Sequence, residues 1–259
     1  MILEYSRMTT ISLTIFAFLF PFCMTALGAF LSLTINKNST LASIVATGLS
    51  AGIMLSASIW SLLLPAINQS KSIFEQAQFV PILCGFAFGG IFMILMNIFC
   101  DKIFKNNNRN KSPYTIFTAV TIHNIPEGLA IGFTLGSAIA TQSQFLGAVS
   151  IILGIGIQNL PEGLATAITM QNCMKTRKKS IFLGILSGIV EPIFAIIGFL
   201  SASHISFALP WLLSFASGTM IFVVIEELMP QLCENKGNSL GTISFLVGFL
   251  GITLLETFL

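Results

Sequence analysis

Long apolar runs separated by short polar stretches make up almost the whole of this 259-residue chain. Eight can be counted, at about residues 8–33, 41–67, 79–100, 114–140, 145–170, 180–203, 206–230 and 239–259. At about 1.5 Å per residue, each is long enough to cross a hydrocarbon core about 30 Å thick as an α-helix. All far exceed the roughly 9–11 residues of a barrel strand. The pattern predicts an all-α membrane protein of eight transmembrane helices, with residues 1–259 forming a single transmembrane domain. The first run is too long for a signal peptide and only Arg7 precedes it, so it reads as a retained span.

Composition agrees. Hydrophobic residues make up 54% of the chain and charged residues only 8%, with a mean hydropathy of +0.90. Soluble domains carry about 25% charged residues. The net charge is +2, and no basic run is interleaved with aromatics, so nucleic acid is excluded as a partner. The partners implied are the lipid bilayer and ions. Cys23, Cys84, Cys100, Cys173 and Cys233 show no C-x-x-C spacing, and their odd number argues against a disulfide framework. Four of the five lie in or beside apolar runs, where the expected role is a small buried hydrophobe.

Charge sets the orientation, because cytoplasmic loops are enriched in Lys and Arg. With the amino terminus outside, the inner loops hold Lys37, Lys102, Lys105, Arg109, Lys111, Lys175, Arg177, Lys178, Lys179 and Lys236, leaving only Arg7 and Lys71 outside. Both termini are therefore predicted to lie outside the cytoplasm. Residues 101–113 form a polar, flexible cytoplasmic loop. No G-x-x-x-x-G-K-[ST] loop is present, so the chain does not itself hydrolyse nucleotide.

Against this apolar background one octapeptide occurs twice, as His123-Asn124-Ile125-Pro126-Glu127-Gly128-Leu129-Ala130 and Gln158-Asn159-Leu160-Pro161-Glu162-Gly163-Leu164-Ala165. An ionisable group at the centre of a bilayer costs at least about 2.5–3.5 kcal/mol. On a helix, His123 and Glu127 share a face, as do Gln158 and Glu162, with Asn124 and Asn159 beside them. Both motifs fall at mid-membrane depth on antiparallel spans, and Glu191 reaches the same level on the sixth. Pro126 and Pro161 free the carbonyls of Ile122 and Ile157, a disruption tolerated where it lines a cavity or is otherwise satisfied. Gly128 and Gly163 permit close helix approach.

Facing one another, the two helices offer one imidazole, two carboxylates and three amide oxygens. Imidazole with carboxylate suits zinc and its first-row neighbours, whereas calcium and magnesium prefer oxygen alone. Elsewhere, Met54, Ser61 and Asn68 recur every seven residues along the second span. Glu226 and Glu227 lie near the cytoplasmic end of the seventh. His204 falls in a short outer loop, and Glu256, near the outer end of the last span, carries no assigned role.

The paired motifs, together with Gly52-Ile53-Met54-Leu55-Ser56-Ala57-Ser58, Leu63-Leu64-Pro65-Ala66, Ser187-Gly188-Ile189-Val190-Glu191-Pro192 and Glu226-Glu227-Leu228-Met229-Pro230, resemble the ZIP family of divalent-metal transporters, in its GufA-like bacterial group. The resemblance runs over nearly the whole chain. It implies a 3+2+3 arrangement with an inverted repeat and a multi-pass protein of the bacterial cytoplasmic (inner) membrane. It further implies import of Zn2+ or a similar divalent ion as substrate, with no organic cofactor and no ATP. One metal site would use His123, Glu127, Gln158 and Glu162, with Met54 nearby. The other would use Asn124, Glu127, Asn159, Glu162 and Glu191, the first two glutamates bridging. Ser61 and Asn68 would mark the outer access path, and Glu226 and Glu227 the cytoplasmic exit.

The chain departs from the pattern of some family members at Asn159, Asn68 and Asn97, where those relatives carry acids, and in a 101–113 loop without the histidines that many have. Two alternatives stand beside transport. An intramembrane zinc hydrolase would need a second histidine that His204, on another span, does not supply; a metal sensor would bind without moving its ion. The choice among zinc, iron, manganese, cadmium and cobalt is left open, as is that between monomer and homodimer.

Overall fold

The computed structural model describes residues 2–35, 40–103, 113–142, 145–174, 176–202, 206–234 and 239–258. Every described element is helical. Helices α1 (Ile2–Leu31), α2 (Thr40–Ala57), α3 (Leu64–Phe74), α4 (Phe79–Ile103), α5 (Pro113–Thr141) and α6 (Phe145–Cys173) are followed by α7 (Arg177–Ser187), α8 (Val190–Ala202), α9 (Leu209–Val223), α10 (Met229–Glu234) and α11 (Leu240–Phe258). Seven stretches among the described residues are long and apolar enough to span a membrane, by length and composition alone. Helix α5, the fourth expected span, forms as a 29-residue helix, and its polar residues His123, Asn124 and Glu127 keep it out of that group. Most of the loop expected at 101–113, and His204, lie outside the described residues.

Three expected spans are not simple helices. The second runs from α2 to α3 through a π-helical turn at Ser58–Leu63, and the seventh runs from α9 to α10 through another at Val224–Leu228. A π turn holds an extra residue relative to an α turn, so the seven-residue register of Met54, Ser61 and Asn68 does not survive it. Met54 and Ser61 are buried, whereas Asn68 is exposed. The sixth span breaks into α7 and α8 at Gly188–Ile189. There the Glu191 amide bonds to the Gly188 carbonyl and Pro192 offers no amide to continue the ladder.

The helices fall into two groups. In one, α1 packs on α6 and α5 on α8; in the other, α2 packs on α11 and α4 on α9. The groups meet mainly where α2 crosses α6 and α5 crosses α9. The core at this junction includes Met54, Leu62, Phe133, Ile155, Leu213 and Met220. Phe88 and Phe99 on α4, Leu200 on α8 and Leu250 on α11 are exposed, the apolar exterior expected of a protein surrounded by lipid. The cysteines follow that exterior. Only Cys100 is buried and the other four are exposed, all five free, because in a bilayer an apolar run has a lipid face as well as a core face. That corrects the expectation of buried cysteines.

Candidate metal centre

Glu127 stands at the midpoint of α5 and Asn159 at the midpoint of α6, so the two polar motifs meet halfway along paired helices. Close approach comes from the glycine that follows each glutamate. A Cβ at Gly128 would collide with the Glu191 carbonyl of α8, and one at Gly163 with the Thr25 carbonyl of α1. The motifs are thereby pressed against the two elements that carry Glu191 and Thr25.

The side chains form a network of contacts across six helices, α1 and α5 to α9. His123 Nε2 lies 2.8 Å from Glu162 Oε1. Gln158 Nε2 donates to Glu127 Oε1 at 3.0 Å and to the Met220 sulfur at 3.8 Å. Asn159 Nδ2 donates to Glu191 Oε2 at 2.6 Å, and Thr25 Oγ1 donates to Glu191 Oε1 at 3.3 Å. The break between α7 and α8 leaves the Ser187 carbonyl available, and Asn124 Nδ2 donates to it at 3.3 Å. All six motif side chains and Glu191 are buried, none more than 5% exposed.

What these side chains leave unpaired is more telling. His123 Nδ1, Asn124 Oδ1, Glu127 Oε2, Gln158 Oε1, Asn159 Oδ1 and Glu162 Oε2 are buried without a hydrogen-bond partner among the described residues. That is one imidazole nitrogen, two carboxylate oxygens and three amide oxygens, the donor set expected from the paired motifs. A buried polar atom left unsatisfied costs about 1–3 kcal/mol, so six together are a poor way to stabilise a fold. They are a good way to receive a cation. Among the described residues no three of His, Cys, Asp and Glu converge closely enough to hold a metal on their own. Amide side chains instead bond two of the carboxylates, Gln158 to Glu127 and Asn159 to Glu191.

The other expected residues lie around this cluster. Met54, 1% exposed, accepts from Ser50 Oγ at 3.7 Å and belongs to the same core as Met220. Ser61 sits on the first π turn and donates to Glu256 Oε1. Glu226 and Glu227 lie on the second π turn, Glu226 exposed and Glu227 partly buried with Oε1 unpartnered. Among the described residues, no hydrogen bond joins Glu226, Glu227 or Asn68 to the central cluster. Sequence reasoning missed Thr25 and Met220. The signal for Thr25 was a threonine four residues after Pro21, whose carbonyl it also binds; Met220 follows the small polar run Ser217-Gly218-Thr219.

Fold and composition together define a multi-pass helical membrane protein, with a cluster of buried, unpartnered polar atoms where α5 meets α6. The family model of the ZIP zinc transporter matches residues 105–256, and the chain belongs to that family. It is similar to the zinc transporter ZupT of Chlorobaculum parvum, 33% identical over 85% of each chain. It is similar also to the zinc transporter ZIPB of Bordetella bronchiseptica, 29% identical over 91% of this chain and 78% of that one. The zinc transporter GufA of Myxococcus xanthus is 37% identical, and the match spans about half of either chain, 53% of this one and 52% of that. Membership assigns the chain to transport rather than to enzymatic chemistry.

Proposed function

We propose that this protein imports zinc, or a similar divalent transition-metal ion, into the cytoplasm of a bacterium through a mid-membrane binuclear site, without ATP. The observation that carries the reading is the set of six buried, unpartnered donor atoms that the paired motifs contribute on α5 and α6. Nitrogen with carboxylate oxygen favours zinc and its neighbours over calcium or magnesium, and the names of the similar proteins agree. Glu127 and Glu162 bridge two ions in this reading. His123 and Gln158 complete one site, Asn124, Asn159 and Glu191 the other, and Met54 stands beside the first.

The architecture in this reading is eight spans in a 3+2+3 arrangement, α5 and α6 being the central pair. The packing supports an inverted repeat that exchanges spans one to three with six to eight. Under that exchange α1–α6 pairs with α5–α8, and α2–α11 with α4–α9, and these are the four most extensive helix contacts. The two π turns fall on exchanged spans as well. Both termini lie outside the cytoplasm, as the basic residues argue. Ser61 and Asn68 then face the outer path, and Glu226 and Glu227 the inner one. One helix group moving against the other would expose the site alternately.

The test is zinc uptake into proteoliposomes with the protein and with Glu127→Ala. Uptake that requires Glu127 is expected. Accumulation by the variant equal to that of the unaltered protein would remove the site assignment, and binding without uptake would make the protein a sensor.

A further inference from the structure

Gln158 has two amide hydrogens and one carbonyl oxygen, and the structure uses them unequally. One set of N–H donors serves both Glu127 Oε1, at 3.0 Å, and the Met220 sulfur, at 3.8 Å, while Oε1 is buried with no partner. Met220 comes from α9, in the other helix group, and is fully buried. Its direction is set two residues earlier. A Cβ at Gly218 would strike the Phe86 carbonyl of α4, so the Gly218 side of α9 is pressed onto α4. Residues two apart on a helix lie about 200° apart at 3.6 residues per turn, which turns Met220 the other way, toward α5 and α6.

A thioether sulfur accepts hydrogen bonds weakly and donates none. Offered to an amide, it can hold only the nitrogen end. We propose that Met220 is a positioning residue for the metal site: it takes the second N–H of Gln158 and so keeps the amide oxygen, rather than the nitrogen, turned toward the cation. Leucine would fill the same space and leave that N–H unbonded, and the amide would then be free to turn its nitrogen toward the ion. This assignment rests on the metal-binding reading of the paired motifs. It places one determinant of affinity on α9, outside the helix group that carries the paired motifs.

The experiment is a four-protein cycle: unaltered chain, Met220→Leu, Gln158→Ala and the double variant, each purified in detergent and titrated with zinc against a chromogenic chelator. Met220→Leu is expected to weaken zinc binding by about tenfold, the lower end of what loss of an outer partner of a metal ligand does. In the Gln158→Ala background it is expected to do nothing further, because contacting residues that act through one group are not additive. Affinity unchanged in Met220→Leu overturns the assignment. So does an effect that persists in full without Gln158, which would mean that Met220 acts through packing or touches the metal itself. Thermal unfolding of each protein without zinc identifies any variant that has lost its fold, and Met220→Gln, which can again accept from the amide, then serves as the second variant, expected to bind more tightly than Met220→Leu. Zinc binding requires no transport, so a failure of uptake in proteoliposomes counts against the importer reading and leaves this result standing.

Discussion

Ser150 Oγ donates to Glu256 Oε2 at 2.6 Å, tying the end of α11 to α6 across the junction of the two helix groups. The other carboxylate oxygen accepts from Ser61 on the first π turn. One carboxylate thus holds three helices, two from one group and one from the other. Sequence alone left Glu256 without a role.

Glu256→Ala is expected to destabilise the protein by about 1.5–3 kcal/mol, the usual worth of hydrogen bonds to a charged group. The loss should be local as well as global. A π turn has lower intrinsic stability than the α-helix around it, and Ser61 would lose its carboxylate partner. Hydrogen–deuterium exchange should accelerate at residues 58–63 relative to α4. Unaltered exchange there would show that the carboxylate does not secure the turn.

Asn159 carries the sharpest charge prediction. Its amide nitrogen lies 2.6 Å from Glu191 Oε2. Asn159→Asp exchanges that donor for an acceptor and sets two carboxylates against one another in a buried space. Without metal the variant should be less stable by about 2 kcal/mol, the scale of a lost charge-assisted hydrogen bond. A divalent ion would relieve the repulsion, so the rise in melting temperature on adding zinc should be larger for Asn159→Asp than for the unaltered chain. An equal or smaller rise would show that Asn159 and Glu191 do not share a metal.

Gly128 tests whether the site depends on helix distance. A Cβ there meets backbone, the Glu191 carbonyl, and not the yielding tip of a side chain. Gly128→Ala must push α8 from α5 and take Glu191 with it. Zinc affinity should fall by about tenfold or more, since misplacing a positioned group commonly costs that much. Gly90→Ala, on α4 where nothing lies within 4 Å of the added carbon, should bind zinc as before. Equal zinc affinity in the two variants would refute the distance argument.

These residues also mark how far the sequence could be read. The paired motifs and their common face were legible because helical periodicity fixes which residues share a side of a helix. Periodicity does not fix how a helix is rotated against its neighbours. The partners Thr25, Ser187 and Met220 therefore came only with packing, as did the link from Glu256 to Ser61 and Ser150. The break between α7 and α8 was half visible in Gly188 and Pro192. The π turns were not visible, and the one at residues 58–63 undid the register that aligned Met54, Ser61 and Asn68. The exposed cysteines failed for another reason: in a bilayer, apolar does not mean inside.

Arg177 supplies the last test, because it holds α1 far from the site that α1 supports. Its Nη2 donates to the Ser32 carbonyl at 2.8 Å and to the Ile35 carbonyl, just past the end of α1. Gln171 Nε2 donates to Ser32 Oγ at 2.8 Å, so α6 and α7 together grip the turn that ends α1. Thr25, two turns back along α1, donates to Glu191. Arg177→Ala should leave the Ser32 and Ile35 carbonyls without this donor, at about 1–3 kcal/mol where a carbonyl is cut off from water, and let α1 slide against α6. Arg177→Lys should recover only part of the loss, because an ammonium on a flexible stem lacks the planar fork of donors. Thermal unfolding in detergent should therefore rank the unaltered chain above Arg177→Lys and that above Arg177→Ala. Zinc affinity should follow the same order if α1 positions Glu191. An affinity indifferent to Arg177 would confine the clamp to stability and leave Glu191 to be held by Asn159 alone.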